Sequence, residues 1–125
     1  MSVRSELIRL LDAIPQLGGR AYADERPEGE ALPHCVVIDQ ISMNPQLSGD
    51  GRSIYWRHTT QVDLWEDAAV ASQETRDAVV AALDGQRIDG SLSVRVEGAD
   101  RVYEPDRRLS HTVISVACSR RTSTV

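Results

Sequence analysis

The stretch SIYWRHTTQVDLWEDAAVASQETRDAVVAALDG, from Ser53 to Gly85, narrows the possible folds more than any other part of the chain. From Ile54 to Trp65 the residues alternate. Successive side chains of a strand point to opposite faces, so Ile54, Trp56, His58, Thr60, Val62 and Leu64 share one face, which reads as the core face. Tyr55, Arg57, Thr59, Gln61, Asp63 and Trp65 share the other, mostly polar with an aromatic at each end. The period then changes from two to 3.6 with almost no loop. Ala71, Thr75, Ala78, Val79, Ala82 and Leu83 form the stripe of an amphipathic helix expected from about Asp67 to Leu83. Asp67 suits the N-cap and Gly85 the C-terminal stop. The small residues of the stripe fit a helix lying close on a sheet.

The flanks extend the same architecture. Val3, Leu7, Leu10, Leu11 and Ile14 lie on one face of a helix over Ser2–Ile14, stopped by Pro15 and turned by Gly18 and Gly19. RAYAD (Arg20–Asp24) suits a short strand. HCVVIDQISM (His34–Met43) is β-branched and apolar on both parities, so it reads as a central strand covered on both faces at its start. NPQLSGDGRS (Asn44–Ser53) is turn chemistry throughout, a long loop expected to be mobile in the free chain. SLSVRVEGA (Ser91–Ala99) alternates with Leu92, Val94 and Val96 inward. RVYEPDRRL holds a Pro-interrupted edge or turn, and LSHTVISVACS (Leu109–Ser119) is a last strand. The expected fold is one α+β domain over residues 1–119, two helices on a mostly antiparallel, mixed sheet, followed by a polar, mobile tail over 120–125.

Composition excludes more than it proposes. A chain of 125 residues is one domain by length and buries one ordinary core. With no Phe, two Trp and three Tyr, that core is built from Val, Leu, Ile and Ala. The net charge of −5 gives no bulk attraction for nucleic acid or anionic lipid. The charge is uneven: residues 1–85 hold seven Arg against fourteen acids, and residues 86–125 hold seven Arg against five. Such unlike halves suit contacts between neighbouring copies. All fourteen basic residues are Arg, which removes P-loop, Schiff-base and other Lys-dependent chemistry. No apolar run approaches a membrane span and no signal peptide is expected, which places the chain in a cytoplasm or in a particle assembled there.

The usual catalytic and ligand patterns are missing. His34, Cys35, His58, His111 and Cys118 stand at no metal-ligand spacing, so no metal or other cofactor is expected. The two cysteines sit in apolar strand runs and read as buried thiols. His58 reads as a hydrogen-bonded core or interface residue. Asp63, Glu66 and Asp67 raise the possibility of acid–base or Mg²⁺ chemistry. An ordinary account is available: Glu66 and Asp67 favour a helix N-terminus, and Asp63 is on the solvent-facing parity. No nucleophile elbow, dinucleotide fingerprint or Walker sequence occurs. The doublets Arg107-Arg108 and Arg120-Arg121 lack the interleaved aromatics of a nucleic-acid surface.

Four segments together resemble the tail terminator, or tail completion, proteins of long-tailed bacteriophages. They are LPHCVVIDQIS (Leu32–Ser42), the Gly-rich loop, YWRHTTQVDLWED (Tyr55–Asp67) and VVAALDG (Val79–Gly85). That family shows a Leu-Pro before a strand, a strand ending near Val-Asp-Val/Leu-Trp, and a helix closing on Ala-Leu-x-Gly. The resemblance covers Ser2 to Gly85, and beyond it only the strand order matches. It implies a non-enzymatic virion protein of the tail, forming a ring of six on the last ring of the tail tube. It also implies a docking surface for the head–tail connector, with no nucleic-acid or membrane binding of its own. Leu47, Arg52, Tyr55, Arg57, Trp65, Arg107 and Arg108 are the expected interface residues, since aromatics and Arg dominate interface hot spots. Leu47 and Arg52 are the anchors assigned to the loop. Two other readings stay open: another neck, head-completion or tube-related subunit, or a small enzyme whose site would need a converging carboxylate pair.

Overall fold

The computed structural model describes residues 3–26, 29, 31–47, 53–88 and 92–123; for residues 39–44, 46, 47, 53–55 and 121–123 it describes the backbone alone. The chain begins with helix α1 (Val3–Asp12), whose Leu7 and Leu11 are fully buried. Glu6 is also buried, and Arg9 holds its Oε2 through Nε at 3.0 Å and Nη2 at 2.8 Å. A 3-10 turn at Pro15–Leu17 ends on Gly18 at φ 55°, a left-handed position that glycine occupies without strain. The turn delivers strand β1 (Ala21–Ala23) parallel to strand β2 (His34–Leu47).

Strand β3 (Ser53–Asp67), helix α2 (Gln73–Leu83) and strands β4 (Arg87–Ile88), β5 (Leu92–Val102) and β6 (Leu109–Ser123) follow. They form one mixed six-stranded sheet in the order β1-β2-β3-β6-β5-β4, antiparallel at every pair but β1–β2. The expected α+β class, with two helices on a mostly antiparallel sheet in one domain, is the class observed. No helix among the described residues is long and apolar enough to cross a membrane.

The register sorts the side chains. Cys35, Val37, Val62, Leu64, Ile114, Val116, Cys118, Leu92 and Val94 lie on one face with Leu7, Leu11, Ile14, Leu17, Val79 and Leu83 against them. This is the core, and its β3 members are on the parity expected from alternation. At the start of β2 both parities are buried, His34 and Val36 as well as Cys35 and Val37, as expected. Among the described residues no helix covers the second face there. His34 is enclosed edge-on by Tyr22, with Nδ1 3.2 Å from the Ala31 carbonyl oxygen.

Several boundaries differ from expectation. The loop expected at Asn44–Ser53 is shorter, because Asn44–Leu47 belongs to β2 and pairs with Ile54–Arg57. β1 pairs with β2 only at Cys35–Val37, so Pro45 stands on a sheet edge, where proline is tolerated. β6 runs to Ser123, four residues past the expected end, through pairs with Ser53–Trp56. Helix α2 begins after Ser72, not Asp67. Asp67 instead closes β3, and its Oδ1 accepts the Ala69 N–H at 2.9 Å in a local turn. Asp63 points to the face opposite the helices as expected but is only 9% exposed, because Gln61 and His111 fold over it.

Two bulges shape the sheet. Between Ile38 and Ser42, β2 carries extra residues, and Thr60 answers the interrupted ladder by donating its hydroxyl to the Ile38 carbonyl. Between Val96 and Gly98, β5 carries Glu97 as an extra residue.

Candidate assembly surface

The strand-to-helix junction is built for architecture. Glu66, 3% exposed, lies on the helix side of the sheet. Its Oε2 accepts the Ser72 N–H at 3.1 Å, and Arg76 Nη1 stands 3.7 Å from Oε1. Ser72 then caps α2, its Oγ accepting the Thr75 N–H at 3.2 Å. Asp63 is on the opposite face, so alternation itself separates the two buried carboxylates. Asp63 and Asp67 share a parity but stand about 13 Å apart along the strand. The junction carboxylates therefore form no converging pair. Among the described residues no group of three or more His, Cys, Asp or Glu could hold a metal ion.

The cysteines are buried thiols, as expected. Burial, with Asp63 and Glu66 adding to it, pushes Cys35 up to about 12, and burial pushes Cys118 up to about 11. Strand β3 separates them, since Cys35 pairs with Leu64 while Cys118 pairs with His58.

The expected interface residues fall into three places. Leu47 ends β2 and Tyr55 lies in β3, both in the hairpin, while Arg52 lies outside the described residues. Arg57 lies on the face away from the helices, in an ion pair with Glu97. The bulge of β5 aims Glu97 at it, and the small Ala117 leaves a shallow groove lined by both residues with Ser93, Arg95 and Ser119. Trp65 is engaged within the chain: its ring stacks on His111 with centroids 3.9 Å apart and planes at 12°, and Arg26 stands 4.6 Å over it. Asp63 Oδ1 lies 3.3 Å from His111 Nε2, completing a polar cluster that fastens the segment around Arg26 to the sheet.

Arg107 and Arg108 are exposed in the turn between β5 and β6. Arg108 pairs with Asp106 at 2.9 Å, and these bonds hold the Asp106 carboxyl at about 2. The turn after β3 lies alongside, joined by Ala68 N–H to the Arg108 carbonyl at 2.8 Å. Sequence reasoning missed the apolar members of this end, Val70 at 73% and Tyr103 at 89% exposure. A valine and a tyrosine left bare next to an arginine doublet were the available signal. Also missed were Trp56 and Arg120, directly paired across β3 and β6 beyond the helices.

Among the described residues the helices clothe one half of one face of the sheet, and arginines and aromatics stand on the rest. That is the layout of a subunit built for an assembly. The sequence profile of the family described as Tail completion protein gp17 matches residues 5–118, and the chain belongs to that family. The match runs past Gly85, so the relationship extends beyond the segments that first carried the resemblance. The fold is similar to a chain in a solved structure titled "Virion of native gene transfer agent (GTA) particle". The likeness has a TM-score of 0.62 at 17% identity and covers 97% of this chain and 96% of that one. No curated protein sequence matches. The chain is a structural protein of a phage tail and a component of the virion.

Proposed function

We propose that this protein closes the tail. Six copies form a ring on the last ring of tube subunits, stop tube polymerisation and present the surface on which the head–tail connector docks. The protein carries out no catalysis and holds no metal or cofactor in this role, and it binds neither nucleic acid nor membrane. It reaches the virion by assembly in the host cytoplasm.

The observation that carries this reading is the sheet extension. Residues Ile54–Thr59 of β3 pair on both sides, with β2 and β6, yet among the described side chains none from Trp56 to Thr59 belongs to the helix-covered core. These residues extend the strand by about 20 Å. Strand residues left half-exposed over that length are stabilised when a neighbour packs on them. The opposite end, with Tyr103, Val70, Arg107 and Arg108, offers a second contact surface of different composition. A cap between two different partners needs two such surfaces.

The test is genetic and physical. Particles made without the gene should carry tails of uncontrolled length with no heads joined. Purified protein should sediment as a ring, alone at high concentration or on added tail tubes. Tails of normal length without the gene, or a strict monomer in the presence of tubes, would refute the assignment.

A further inference from the structure

Five arginines are half-buried among the described residues: Arg4, Arg20, Arg57, Arg76 and Arg120. Four of them have an acceptor within the chain. Arg4 pairs with Asp24, Arg20 donates to the Pro33 carbonyl at 3.0 Å, Arg57 pairs with Glu97, and Arg76 approaches Glu66. Arg120 is the exception. Its Nε is buried with no hydrogen-bond partner, and no carboxylate among the described residues forms an ion pair with it. A guanidinium cannot shed its proton to escape this situation. A buried, unmatched donor on a permanent cation is costly unless an acceptor arrives from outside.

The surroundings state what kind of acceptor fits. Arg120 stands on the helix-side face of the extension, in one cross-strand row with Trp56 and Leu92, next to the row of His58 and Cys118. Leu92 and Cys118 form an apolar floor, both buried. Partial burial, and the Arg120 charge after it, lower the affinity of His58 for a proton, so His58 adds no second cation at neutral pH. One fixed guanidinium, an indole and an imidazole around an apolar floor receive a single carboxylate, which Arg binds bidentately.

We infer that this patch docks a carboxylate from a second copy of this chain. The inference rests on the ring reading above and names the contact that makes the ring. Residues 1–85, which contain both helices, hold seven more acids than arginines, while Arg120 belongs to the part with two more arginines than acids. Asp12 at the end of α1 and Glu74 in the first turn of α2 are exposed, and neither takes part in an ion pair among the described residues. The contact sets the bare sheet extension of one copy against the helical layer of the next. It is head-to-tail, the kind that closes into a ring.

The experiment measures sedimentation and thermal unfolding of the full chain and its variants. Arg120→Met and Arg120→Glu should lower the association constant on the order of tenfold or more. Arg120→Met should leave the unfolding temperature of the monomer unchanged or raised, because it removes an unmatched donor. Mixing Arg120→Glu with Glu74→Arg or Asp12→Arg copies should restore association. Wild-type assembly by Arg120→Met would overturn the inference. So would a loss of monomer stability in Arg120→Met, since the partner of Arg120 would then lie within the same chain. Loss of assembly that neither swapped copy repairs, with binding to tail tubes weakened instead, would overturn the second copy as occupant. If the wild-type chain itself forms no ring with tubes, the ring reading fails before the Arg120 contact is tested.

Discussion

The sheet has two halves made from the same three strands. Over Val62–Leu64 and Ile114–Cys118, β3 and β6 lie beneath α1 and α2, and every residue of the core parity is fully buried. Over Trp56–His58 and Ser119–Arg120 the same strands continue with the same pairing, but these residues are outside the core and their side chains are half-exposed. Hydrogen bonding is continuous across the boundary while apolar burial is not. Ladder continuity therefore does not mark where the folding energy lies. The covered half holds the domain together, and the bare half is free to have its composition set by partners.

The sharpest way to break this comparison is a pair of matched truncations. We predict that Leu64→Ala, at a fully buried site between β2 and β6, costs about 2–5 kcal/mol in urea unfolding. Trp56→Ala, four turns of the alternation away, should cost the monomer no more than about 1 kcal/mol while weakening assembly. Equal losses of monomer stability would show that the extension is part of the folding core after all.

A second prediction sharpens the functional side. Replacing residues 48–53 by Asn-Gly gives Leu47 and Ile54, already paired, a two-residue turn suited to a hairpin. Monomer stability should change by less than about 1 kcal/mol, whereas tail capping should be abolished. Electron microscopy of tails incubated with the variant reads the second half. Normal capping by the shortened hairpin would remove Arg52 from the interface.

What could be read in the sequence follows the same division. The faces of β3, the stripes of both helices and the inward set of β5 were legible because each depends on residues a few positions apart. The start of α2 was not. Asp67 and Ser72 are both good capping residues, and Asp67 instead closes a local turn while Glu66 anchors Ser72. The ends of β2 and β6 were missed because Asn44-Pro45 and Arg120-Arg121 carry no strand signal. Only their cross-strand partners hold them extended. Asp63 on a polar parity gave no hint of burial, since His111 reaches it from a strand nearly fifty positions away in sequence. The candidate surface was least legible for the same reason. Arg107 and Arg108 were found as a doublet, but that Arg120 lacks a partner is a fact about three strands at once.

At the junction between the halves, the effects should be smaller. Ser72→Ala removes the acceptor of the Thr75 N–H and should cost about 1 kcal/mol, with fraying of the first turn of α2 visible by hydrogen exchange. Asp67→Ala should cost less, since Asp67 caps only a three-residue turn. The reverse order would restore Asp67 as the helix cap.

The smallest effect probes the bare half directly. His58 titrates below its ordinary 6.5, because partial burial disfavours its charged form and Arg120 repels it. A histidine whose folded pKa is lowered binds fewer protons folded than unfolded. Its contribution to stability is therefore complete above about 6.5, the unfolded value, and is lost as pH falls from there through the folded value. Arg120→Met removes the smaller of the two causes. The His58 midpoint in the monomer, followed by NMR, should rise toward 6.5 without reaching it, since burial remains. The outcome tests whether the Arg120 charge is felt in the free chain. A carboxylate already seated on Arg120 would screen it, and the midpoint of His58 would then be the same with and without the arginine.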